Sequence, residues 1–458
     1  MFKNIVLLDR GVEYLESLLA RYPQANIILV AEKQPSITPL LERYASHIVH
    51  FIDYNDFLAI QHVEDIDYEL IAKMKSVQID IEIMLHRIML NNPLAKDIYH
   101  QHLSFFAHIF KRYPIDLILC TEFNLSTPSH LIPFGLGKLL GIPTYALERL
   151  ASYPAITINN YNLSERLVFQ TPFHSLEPQS IVFYKFAKPA PRNLIEKAEA
   201  LFGAVFVELG KCIIKRSFTR KYLGVQYSFL HKLYSFFQLR ATQKLYKKLA
   251  TKPSLQEKYI YYSLHVEPEA TIIGKTLLES QLTMIKMLSH ALPSGWKLYV
   301  KEHPHQFMLN TTLTSYFLHN IDFFKNAQLY KEIKKLKNVE LISLDISPKD
   351  LIAHSQAIAT INGTATLEAM LAGKRAILFS AKASLFGILK NVLHIASYAQ
   401  LKQALESIAS TPYSLDAKQE FSDFTRHIAD MRDSNFHANL FSTIEAHSKA
   451  IAPTGAQL

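Results

Sequence analysis

The sequence predicts an α/β protein made of two Rossmann-like βαβ domains that face a cleft. Short apolar runs of strand length alternate with helix-length stretches in two blocks, one in each half of the chain. Strands that alternate with helices in this way are typical of parallel sheets. Several of the runs end in titratable or hydroxyl residues, and open parallel sheets bind ligands beyond the carboxyl ends of their strands.

The first block contains five predicted strands in which aliphatic residues dominate. These strands span 2–8, 26–31, 47–52, 115–121 and 142–147. Helix-length stretches connect them at 12–22, 35–44, 68–112 and 126–140. The longest stretch is broken at Asn91-Asn92-Pro93, because proline ends or kinks a helix.

The second block repeats this alternation after a basic segment. Its predicted strands span 258–264, 296–301, 338–343, 356–361, 374–379 and 392–395. Its predicted helices span 276–291, 348–354 and 364–372, and the tail from Tyr398 to about 447 is also helical in pattern. This tail is a candidate to cross back to the first domain.

A chain of 458 residues is natural for two or three domains. We expect an N-terminal Rossmann-like domain, a basic helical linker or insertion, a C-terminal Rossmann-like domain and a C-terminal helix or tail. Their predicted bounds are 1–190, 191–255, 256–435 and 436–458, in that order.

Composition excludes several classes of protein. Two distant cysteines form neither a disulfide framework nor a zinc pattern, which suits a reducing cytoplasm. The N-terminal apolar run is too short for a signal peptide, and no run reaches the ~18 apolar residues of a membrane-spanning helix. We therefore expect a cytoplasmic protein that is soluble or peripheral at a membrane.

Motifs for metal and nucleotide-binding enzymes are absent from the sequence. There is no HExxH, no Walker loop and no GxGxxG. Asp65-Ile66-Asp67 has the D-x-D spacing of a metal site, but it lies at the entry to a predicted helix. We therefore predict no metal site.

The net charge of +9 has a local origin. No Asp or Glu lies between Leu209 and Gln256, whereas this span holds eleven Lys and Arg residues with Phe and Tyr interleaved. Such a segment could bind anionic lipid headgroups, bind nucleic acid, or form a solvated helical hairpin. The dense aromatic residues favour membrane-surface contact through 211–252 over nucleic acid.

Lys301 and His303 follow the predicted strand 296–301 and lie on the same side of it. Pro304 cannot continue a strand, so His303 is expected in a loop at the sheet edge. A lysine and a histidine on one side suit a phosphate ester. Glu302 faces the other side and is expected to be structural, and a surface-loop histidine is the alternative interpretation of His303.

A second strand end lies at Asn362-Gly363-Thr364-Ala365-Thr366. Gly363 permits an unusual backbone angle, and Thr364 or Thr366 could cap the following helix. The N–H groups at a helix start can bind phosphate, and Glu368 could accept bonds from ribose hydroxyls. An ordinary helix cap with a solvated glutamate is the alternative.

Titratable residues also follow three other predicted strands. His265, Glu267 and Glu269 alternate after the strand 258–264, where a polar turn is the alternative interpretation. Glu122 and Glu148 each follow a strand of the first block and form a candidate acid/base or nucleophile pair. Capping or salt-bridged carboxylates are the alternative for these two.

Four segments within 258–400 resemble, in order, those of the capsule polysaccharide biosynthesis family. They are YYSLHVEPEATI, LPSGWKLYVKEHPHQF, LKNVELIS and ATINGTATLEAMLAGKRAILF. That family contains bacterial surface-polysaccharide glycosyltransferases, including the Kdo transferases of capsule assembly. In the first half, ALERLASYPAITINNYN resembles the family's Glu-x-Gly segment.

The resemblance implies a metal-independent GT-B fold with a nucleotide-activated sugar in the cleft and no cofactor. The N-terminal domain would carry acceptor and catalytic functions, with Glu148 at the Glu of the Glu-x-Gly segment. CMP-activated acidic sugars such as Kdo are the implied donors, and a lipid-linked or surface glycan, as in capsule or lipopolysaccharide, is the implied acceptor. The implied nucleotide-sugar-binding residues are His303, Lys301, His265, Glu269, Asn362, Gly363, Thr364, Thr366 and Glu368.

The chain departs from the family at the catalytic segment. Many relatives have Glu-Asp-Gly there with a catalytic Asp, whereas this chain has Glu148-Arg149-Leu150. Either Glu148 or Glu122 takes over as catalyst, or the protein is a catalytically silent GT-B-fold subunit that binds a nucleotide sugar or glycan partner. A glycoside hydrolase that uses the two carboxylates is a third alternative.

Overall fold

The computed structural model describes most of the chain between residues 2 and 449. The parts that it does not describe within these limits are 10–11, 36, 88, 90–91, 122–127, 151–152, 174–175, 179–208, 211–212, 215–218, 223–224, 269–271, 273–275, 277, 308–319, 380–383 and 415.

Strands of the first sheet come mainly from the first third of the chain. They are β1 (Asn4–Leu8), β2 (Asn26–Ala31), β3 (Ile48–Asp53), β4 (Leu117–Cys120), β5 (Thr144–Arg149), β6 (Ala155–Asn160), β7 (Glu165–Arg166) and β16 (Ala429–Asp430). The order is β16-β6-β5-β4-β1-β2-β3, with β7 beside β6. Strands β1 to β5 are parallel, whereas β6 runs antiparallel to β5 and pairs antiparallel with β16.

Strands of the second sheet are all parallel. They are β10 (Tyr259–Ser263), β11 (Lys297–Lys301), β12 (Val339–Ile342), β13 (Ala357–Thr360), β14 (Arg375–Leu378) and β15 (Val392–His394). The order β12-β11-β10-β13-β14-β15 is that of a doubly wound Rossmann sheet. The predicted class of two Rossmann-like α/β domains is therefore confirmed. A separate hairpin joins β8 (Thr219–Tyr222) and β9 (Val225–Ser228).

Helices connect the strands of both sheets. Those of the first domain are α1 (Leu15–Arg21), α2 (Thr38–Arg43), α3 (Tyr68–Lys73), α4 (Lys75–His86), α5 (Asn92–Arg112) and α6 (Pro128–Leu140). The later ones are α7 (Phe229–Leu249), α8 (Gln281–Ala291), α9 (Ile321–Phe324), α10 (Ala327–Lys334), α11 (Pro348–His354), α12 (Ala365–Leu371), α13 (Tyr398–Ser410), α14 (Ala417–Thr425) and α15 (Phe436–Ser448). None of the described helices combines the length and apolarity that crossing a membrane requires.

Within the described part of the basic segment, helix α7 packs on the second domain. Tyr246 is fully buried, and its hydroxyl donates to the Ile342 carbonyl at 2.6 Å and accepts from the Glu302 N–H at 3.0 Å. A backbone bridge joins Thr251 to Ile342 directly after the helix. These contacts fix the helix at the carboxyl ends of β11 and β12.

The C-terminal segment crosses back to the first domain. Strand β16 extends the first sheet, and Phe436, Leu440 and Ile444 of α15 pack into the core that contains β1 and β2. Glu445 accepts hydrogen bonds from Arg21 at 2.8 Å and from the Tyr22 hydroxyl at 2.8 Å. The helical tail therefore belongs, in space, to the first domain.

A shared apolar cluster holds the two domains together. It contains Leu150, Ala155 and Leu176 of the first domain, Leu367, Met370, Phe386 and Leu389 of the second, and Phe421, Phe424 and Ile428 of the crossing segment. Helix α12 thus lies at the domain interface, directly after the polar segment Asn362–Thr364.

Candidate active site

The second sheet has a topological switch point between β10 and β13. From these two neighbours, β11 and β12 extend to one side of the sheet, and β14 and β15 to the other. Loops that leave such neighbours in opposite directions open a crevice at the carboxyl ends of the strands. The segments after Ser263, Lys301 and Thr360 therefore converge on one crevice.

His265 joins two of these segments. Its Nε2 accepts a hydrogen bond from the Asn362 N–H at 3.1 Å and lies 3.2 Å from the Thr360 hydroxyl. Burial lowers the pKa of His265 to about 3, so the ring is neutral at physiological pH and carries its proton on Nδ1. His265 acts as a positioning residue that fixes the backbone at Asn362.

Gly363 meets a conformational requirement next to this ring. Its φ of +142° is unfavourable for residues with a side chain. A Cβ at this position would lie 3.4 Å from His265 Cε1. Glycine therefore allows the backbone to turn closely over His265.

The expected threonine cap does not form. Thr364 is exposed and makes no capping bond, and its hydroxyl instead donates to Glu368 Oε1 at 3.4 Å. Thr366 is fully buried, and its Oγ1 has no hydrogen-bond partner among the described residues. The helix starts differently because Thr364 itself has helical backbone angles, which turn its side chain away from the first N–H groups. Burial raises the pKa of Glu368 to about 6.

His303 is held as a neutral donor. Its Nδ1 accepts from the His305 N–H at 3.2 Å, so the ring proton lies on Nε2. Burial, with a smaller contribution from His305, lowers the pKa of His303 to about 3. Within the part of the chain that the structure describes, no hydrogen bond engages Nε2. The residue therefore offers an N–H without a positive charge.

Lys301 supplies a positive charge near His303. The residue is 2% exposed and lies between Ser263 of β10 and Ile342 of β12. Burial lowers the pKa of Lys301, while the charge of Glu302 opposes that shift. No described residue forms a hydrogen bond or ion pair with its ammonium group. A buried ammonium without such a partner is suited to an anionic ligand.

A buried ion pair fixes these two segments in place. Glu302, which was expected to be structural, accepts from Lys325 Nζ at 3.2 Å and from the Tyr330 hydroxyl at 2.5 Å. Lys325 also donates to the His265 carbonyl at 2.5 Å. Because both charged side chains are fully buried, the network fixes the loops that carry His265 and His303 relative to each other.

Two glutamine side chains hold the loop after His265 by hydrogen bonds. Gln306 Nε2 donates to the Glu267 carbonyl at 2.9 Å, and its Oε1 accepts from the Glu267 N–H at 2.9 Å. Gln281 accepts from the His265 N–H at 2.9 Å and donates to the Glu267 carboxylate. Burial raises the pKa of Glu267. Glu269, the other predicted carboxylate here, lies outside the described residues.

Glu148 lies in a different environment from the one expected. It is part of β5 rather than beyond its end, it is 8% exposed, and it forms an ion pair with Arg166. Arg166 also donates from Nε to the Ser384 carbonyl of the second domain at 3.3 Å. The Glu148 carboxylate is therefore part of a buried polar contact between the two domains. Glu122, its predicted partner, lies outside the described residues.

The next two residues explain the departure from the Glu-Asp-Gly pattern in physical terms. Arg149 is exposed and donates to Glu13 Oε2 at 3.2 Å. Leu150 is fully buried in the apolar cluster between the domains. A leucine here adds apolar contact area to the interface that a glycine would lack.

Asp80 of α4 is a carboxylate that the sequence patterns did not indicate. Burial and the nearby charge of Glu279, from the second domain, raise the pKa of Asp80 to about 7. At the end of α4, the Asn320 amide donates to the His86 carbonyl at 2.6 Å and links the helix to the second domain. No sequence motif indicates Asp80, because it lies within an ordinary amphipathic helix.

The family comparison matches the part of the chain that contains the switch point. Residues 220–388 match the model of the family described as capsule polysaccharide biosynthesis protein. Over these residues, the chain is similar to the capsule polysaccharide biosynthesis family. The matched range includes His265, Lys301, His303 and Asn362–Thr364, whereas Glu148 and Asp80 lie outside it. No curated protein matches the chain.

Solved structures of several sugar-processing enzymes align with this chain at low similarity. A KpsC β-Kdo 2,7-transferase from Thermosulfurimonas dismutans is 12% identical, with 69% of this chain and 78% of that chain covered and a TM-score of 0.29. UDP-GlcNAc 2-epimerase from Neisseria meningitidis is 10% identical, with 97% and 100% covered and a TM-score of 0.26. The calicheamicin glycosyltransferase CalG4 is 14% identical, with 99% and 100% covered and a TM-score of 0.24. At these scores the alignments carry no argument about activity.

Proposed function

We propose that the protein is a glycosyltransferase that moves a sugar from a nucleotide-activated donor onto a bacterial cell-surface glycan. The observation that carries this proposal is a buried Lys301 ammonium together with the His303 Nε2–H, both at the carboxyl end of β11 and next to the switch point. These groups lie in the segment that matches the capsule family. Two Rossmann-like domains meet beside this crevice and would offer separate surfaces to donor and acceptor.

The chemistry assigned to the crevice is stabilisation of a leaving phosphate. Lys301 would compensate negative charge that develops on the leaving nucleotide, and His303 would donate one hydrogen bond to it. Donors that are already fixed in place stabilise a transition state without reorganising. The reaction then needs no metal ion at the phosphate. Asn362, Gly363, Thr364 and Glu368 would bind the rest of the nucleotide or the sugar.

The finer identity of the substrates rests on the family resemblance. A CMP-activated acidic sugar such as Kdo is the proposed donor, and a lipid-linked or surface glycan is the proposed acceptor. Among the carboxylates, Asp80 has the pKa best suited to a general base, because a base acts most efficiently near the ambient pH. Glu148 would first have to leave its ion pair with Arg166.

Nucleotide binding is tested by thermal unfolding. We expect CMP, or another nucleotide of a panel that includes UDP, GDP and ADP, to raise the Tm by several degrees, since a ligand that binds only the folded state stabilises it. His303→Ala should lower the nucleotide affinity by about tenfold, the effect of one hydrogen bond to a charged group. His354→Ala, which removes an exposed histidine from α11, is the matched control.

Two results would contradict the donor site. One is a protein whose Tm responds to no nucleotide or nucleotide sugar. The other is a His303→Ala variant that melts like wild type without ligand and still binds the nucleotide with unchanged affinity. Unaltered melting without ligand shows that the variant has folded.

A catalytically silent subunit is the second candidate function. The Glu148–Arg166 pair and the buried Leu150 favour it, because both commit the family's catalytic segment to structure. A transfer assay with extracted lipid acceptor separates the two candidates. Turnover that Asp80→Asn, Glu122→Gln or Glu148→Gln abolishes supports the transferase, whereas nucleotide binding without turnover supports the silent subunit.

We also propose that the exposed side of α7 contacts the membrane surface. Leu230, Tyr234 and Phe237 are each more than half exposed, and exposed Lys244 and Lys248 continue the same helical face. Apolar rings beside basic groups suit the interface of an anionic bilayer.

Vesicle co-sedimentation tests this contact. We expect binding to vesicles that contain phosphatidylglycerol and little binding to pure phosphatidylcholine. Leu230→Ser together with Phe237→Ser should reduce the bound fraction several-fold, because part of the inserted apolar area is lost. Tyr398→Ser, which removes an exposed ring from another helix, is the control. Equal binding of the double variant and wild type would disprove the contact.

A further inference from the structure

Two histidines converge on one carboxylate in the first domain. His62 Nε2 lies 3.1 Å and His108 Nδ1 lies 3.0 Å from the same oxygen, Oδ2 of Asp65. The three potential ligand atoms all lie within 4.8 Å of one another. The cluster joins the loop between β3 and α3 to the long helix α5, and it lies in a different domain from the crevice at the second sheet.

The spacing is close to that of a tetrahedral metal site. Nitrogen and oxygen ligands lie about 2.0–2.1 Å from Zn²⁺, so two ligand atoms in a tetrahedral site are about 3.3 Å apart. Both histidine-to-aspartate distances are within a few tenths of an ångström of that value. Solvent can supply the fourth ligand because all three side chains are partly accessible.

The second ring nitrogen of His62 also has a carboxylate partner. Its Nδ1 lies 3.1 Å from Glu64 Oε2, and its Nε2 faces Asp65, so each ring nitrogen faces a carboxylate. With a metal ion on Nε2, the Nδ1–H would be directed at Glu64. Such a carboxylate–histidine–metal arrangement is the usual way to orient a histidine ligand.

The carboxylate of Asp65 is oriented in a similar way. Its other oxygen, Oδ1, accepts from Lys111 Nζ at 3.0 Å, and its backbone N–H donates to the Ser104 hydroxyl at 3.0 Å. Ser104, His108 and Lys111 share one face of α5, since helical neighbours are three or four residues apart. One helix face therefore holds Asp65 with Oδ2 directed at the two rings.

We propose that His62, Asp65 and His108 form a binding site for a first-row divalent cation, with Zn²⁺ as the first candidate. Two imidazoles and a carboxylate are ligands that Zn²⁺ prefers. The bound ion would clamp the 60–67 loop onto α5 and stabilise the first domain. This role is separate from the sugar chemistry proposed at the second sheet.

The site also revises the interpretation of the D-x-D spacing. Asp65 and Asp67 do not act together, because Asp67 caps α3 by accepting from the Glu69 N–H at 2.7 Å and the Leu70 N–H at 3.0 Å. The sequence prediction of no metal rested on this acidic pair and on the absence of local metal-binding motifs, and it did not include the two histidines. The histidines that accompany Asp65 lie three residues before it and 43 residues after it, so no local pattern connects the three.

Metal titration of the tag-free, chelator-treated full-length protein tests the proposal. We expect Zn²⁺ to bind with one equivalent per chain in calorimetry and to raise the Tm, and Co²⁺ to give the visible absorption of a tetrahedral nitrogen–oxygen site. His62→Ala and His108→Ala should each abolish the one-equivalent binding. Glu64→Gln should weaken it by about tenfold, the usual effect of an outer-shell partner.

One further variant makes the outcome decisive. His100→Ala, on the same helix as His108 with its Nδ1 on the Lys96 carbonyl, should bind as wild type. Absence of one-equivalent Zn²⁺ and Co²⁺ binding in folded wild type would overturn the proposal, and so would unchanged binding by a His62→Ala/His108→Ala double variant.

Discussion

Replacing Arg166 with methionine is expected to destabilise the protein by about 3–5 kcal/mol, the usual cost of leaving one buried charge without its partner. The Arg166 side chain is fully buried, and the Glu148 side chain that it pairs with is 9% exposed. The variant also loses the bond to the Ser384 carbonyl, which is one of the polar links between the domains. Denaturant unfolding that follows the tryptophan signal and the circular dichroism of the whole chain measures the loss.

The double variant Glu148→Leu/Arg166→Met is the informative control. It removes both charges, so we expect it to recover most of the lost stability, as apolar replacements of buried ion pairs often do. Arg149→Met breaks the exposed neighbouring pair with Glu13 and should cost less than about 1 kcal/mol. If Arg166→Met unfolded at the same denaturant concentration as wild type, the pair would not be buried as described.

Replacing Lys325 with methionine should cost a similar amount, about 3–5 kcal/mol, and should also impair nucleotide binding. The variant leaves Glu302 fully buried without its cation and removes the bond to the His265 carbonyl. Because Glu302 and His265 flank the segments that carry His303 and Asn362, the crevice should lose its fixed geometry. Thermal unfolding and the nucleotide-dependent Tm shift measure the two effects separately.

A double variant that removes both charges of the buried pair separates the effect of Lys325 on stability from its effect on nucleotide binding. Glu302→Gln/Lys325→Met should regain much of the stability but not the full nucleotide affinity, since the link to His265 is still missing. Lys335→Met, at an exposed pair with Glu332, should leave both measurements unchanged. Full nucleotide affinity in a folded Lys325→Met variant would contradict the positioning role.

The central parallel strands could be predicted because they are buried on both faces. Such strands are continuous apolar runs, and the predicted 2–8 and 258–264 contain β1 (Asn4–Leu8) and β10 (Tyr259–Ser263). The edge of the first sheet could not be found in the same way. Strand β6 was not predicted because Ala155–Asn160 ends in two asparagines, and β16 has only two residues. Their positions depend on tertiary contacts with β5.

The candidate site shows the same difference between residues that a local pattern can predict and residues that depend on tertiary contacts. His265, His303 and Asn362 could be proposed as candidates because each follows a predicted strand, and strand ends meet by topology. The partners that fix them were not found. Lys325 lies 23 residues after Glu302, and Arg166 lies 18 residues after Glu148, at separations that no helical or strand period connects. Thr364 was predicted as a capping residue from its type alone, whereas its backbone angles direct its hydroxyl elsewhere.

The return of the C-terminal segment to the first sheet has a consequence for synthesis on the ribosome. Strand β6 ends at Asn160, but its neighbour β16 begins at Ala429. At about 5–20 residues per second, roughly 13–54 seconds separate the two events. During that time the apolar surface that Phe436, Leu440 and Ile444 later cover is open to solvent and to other chains. The half of the protein that is translated first is therefore the half that is completed last.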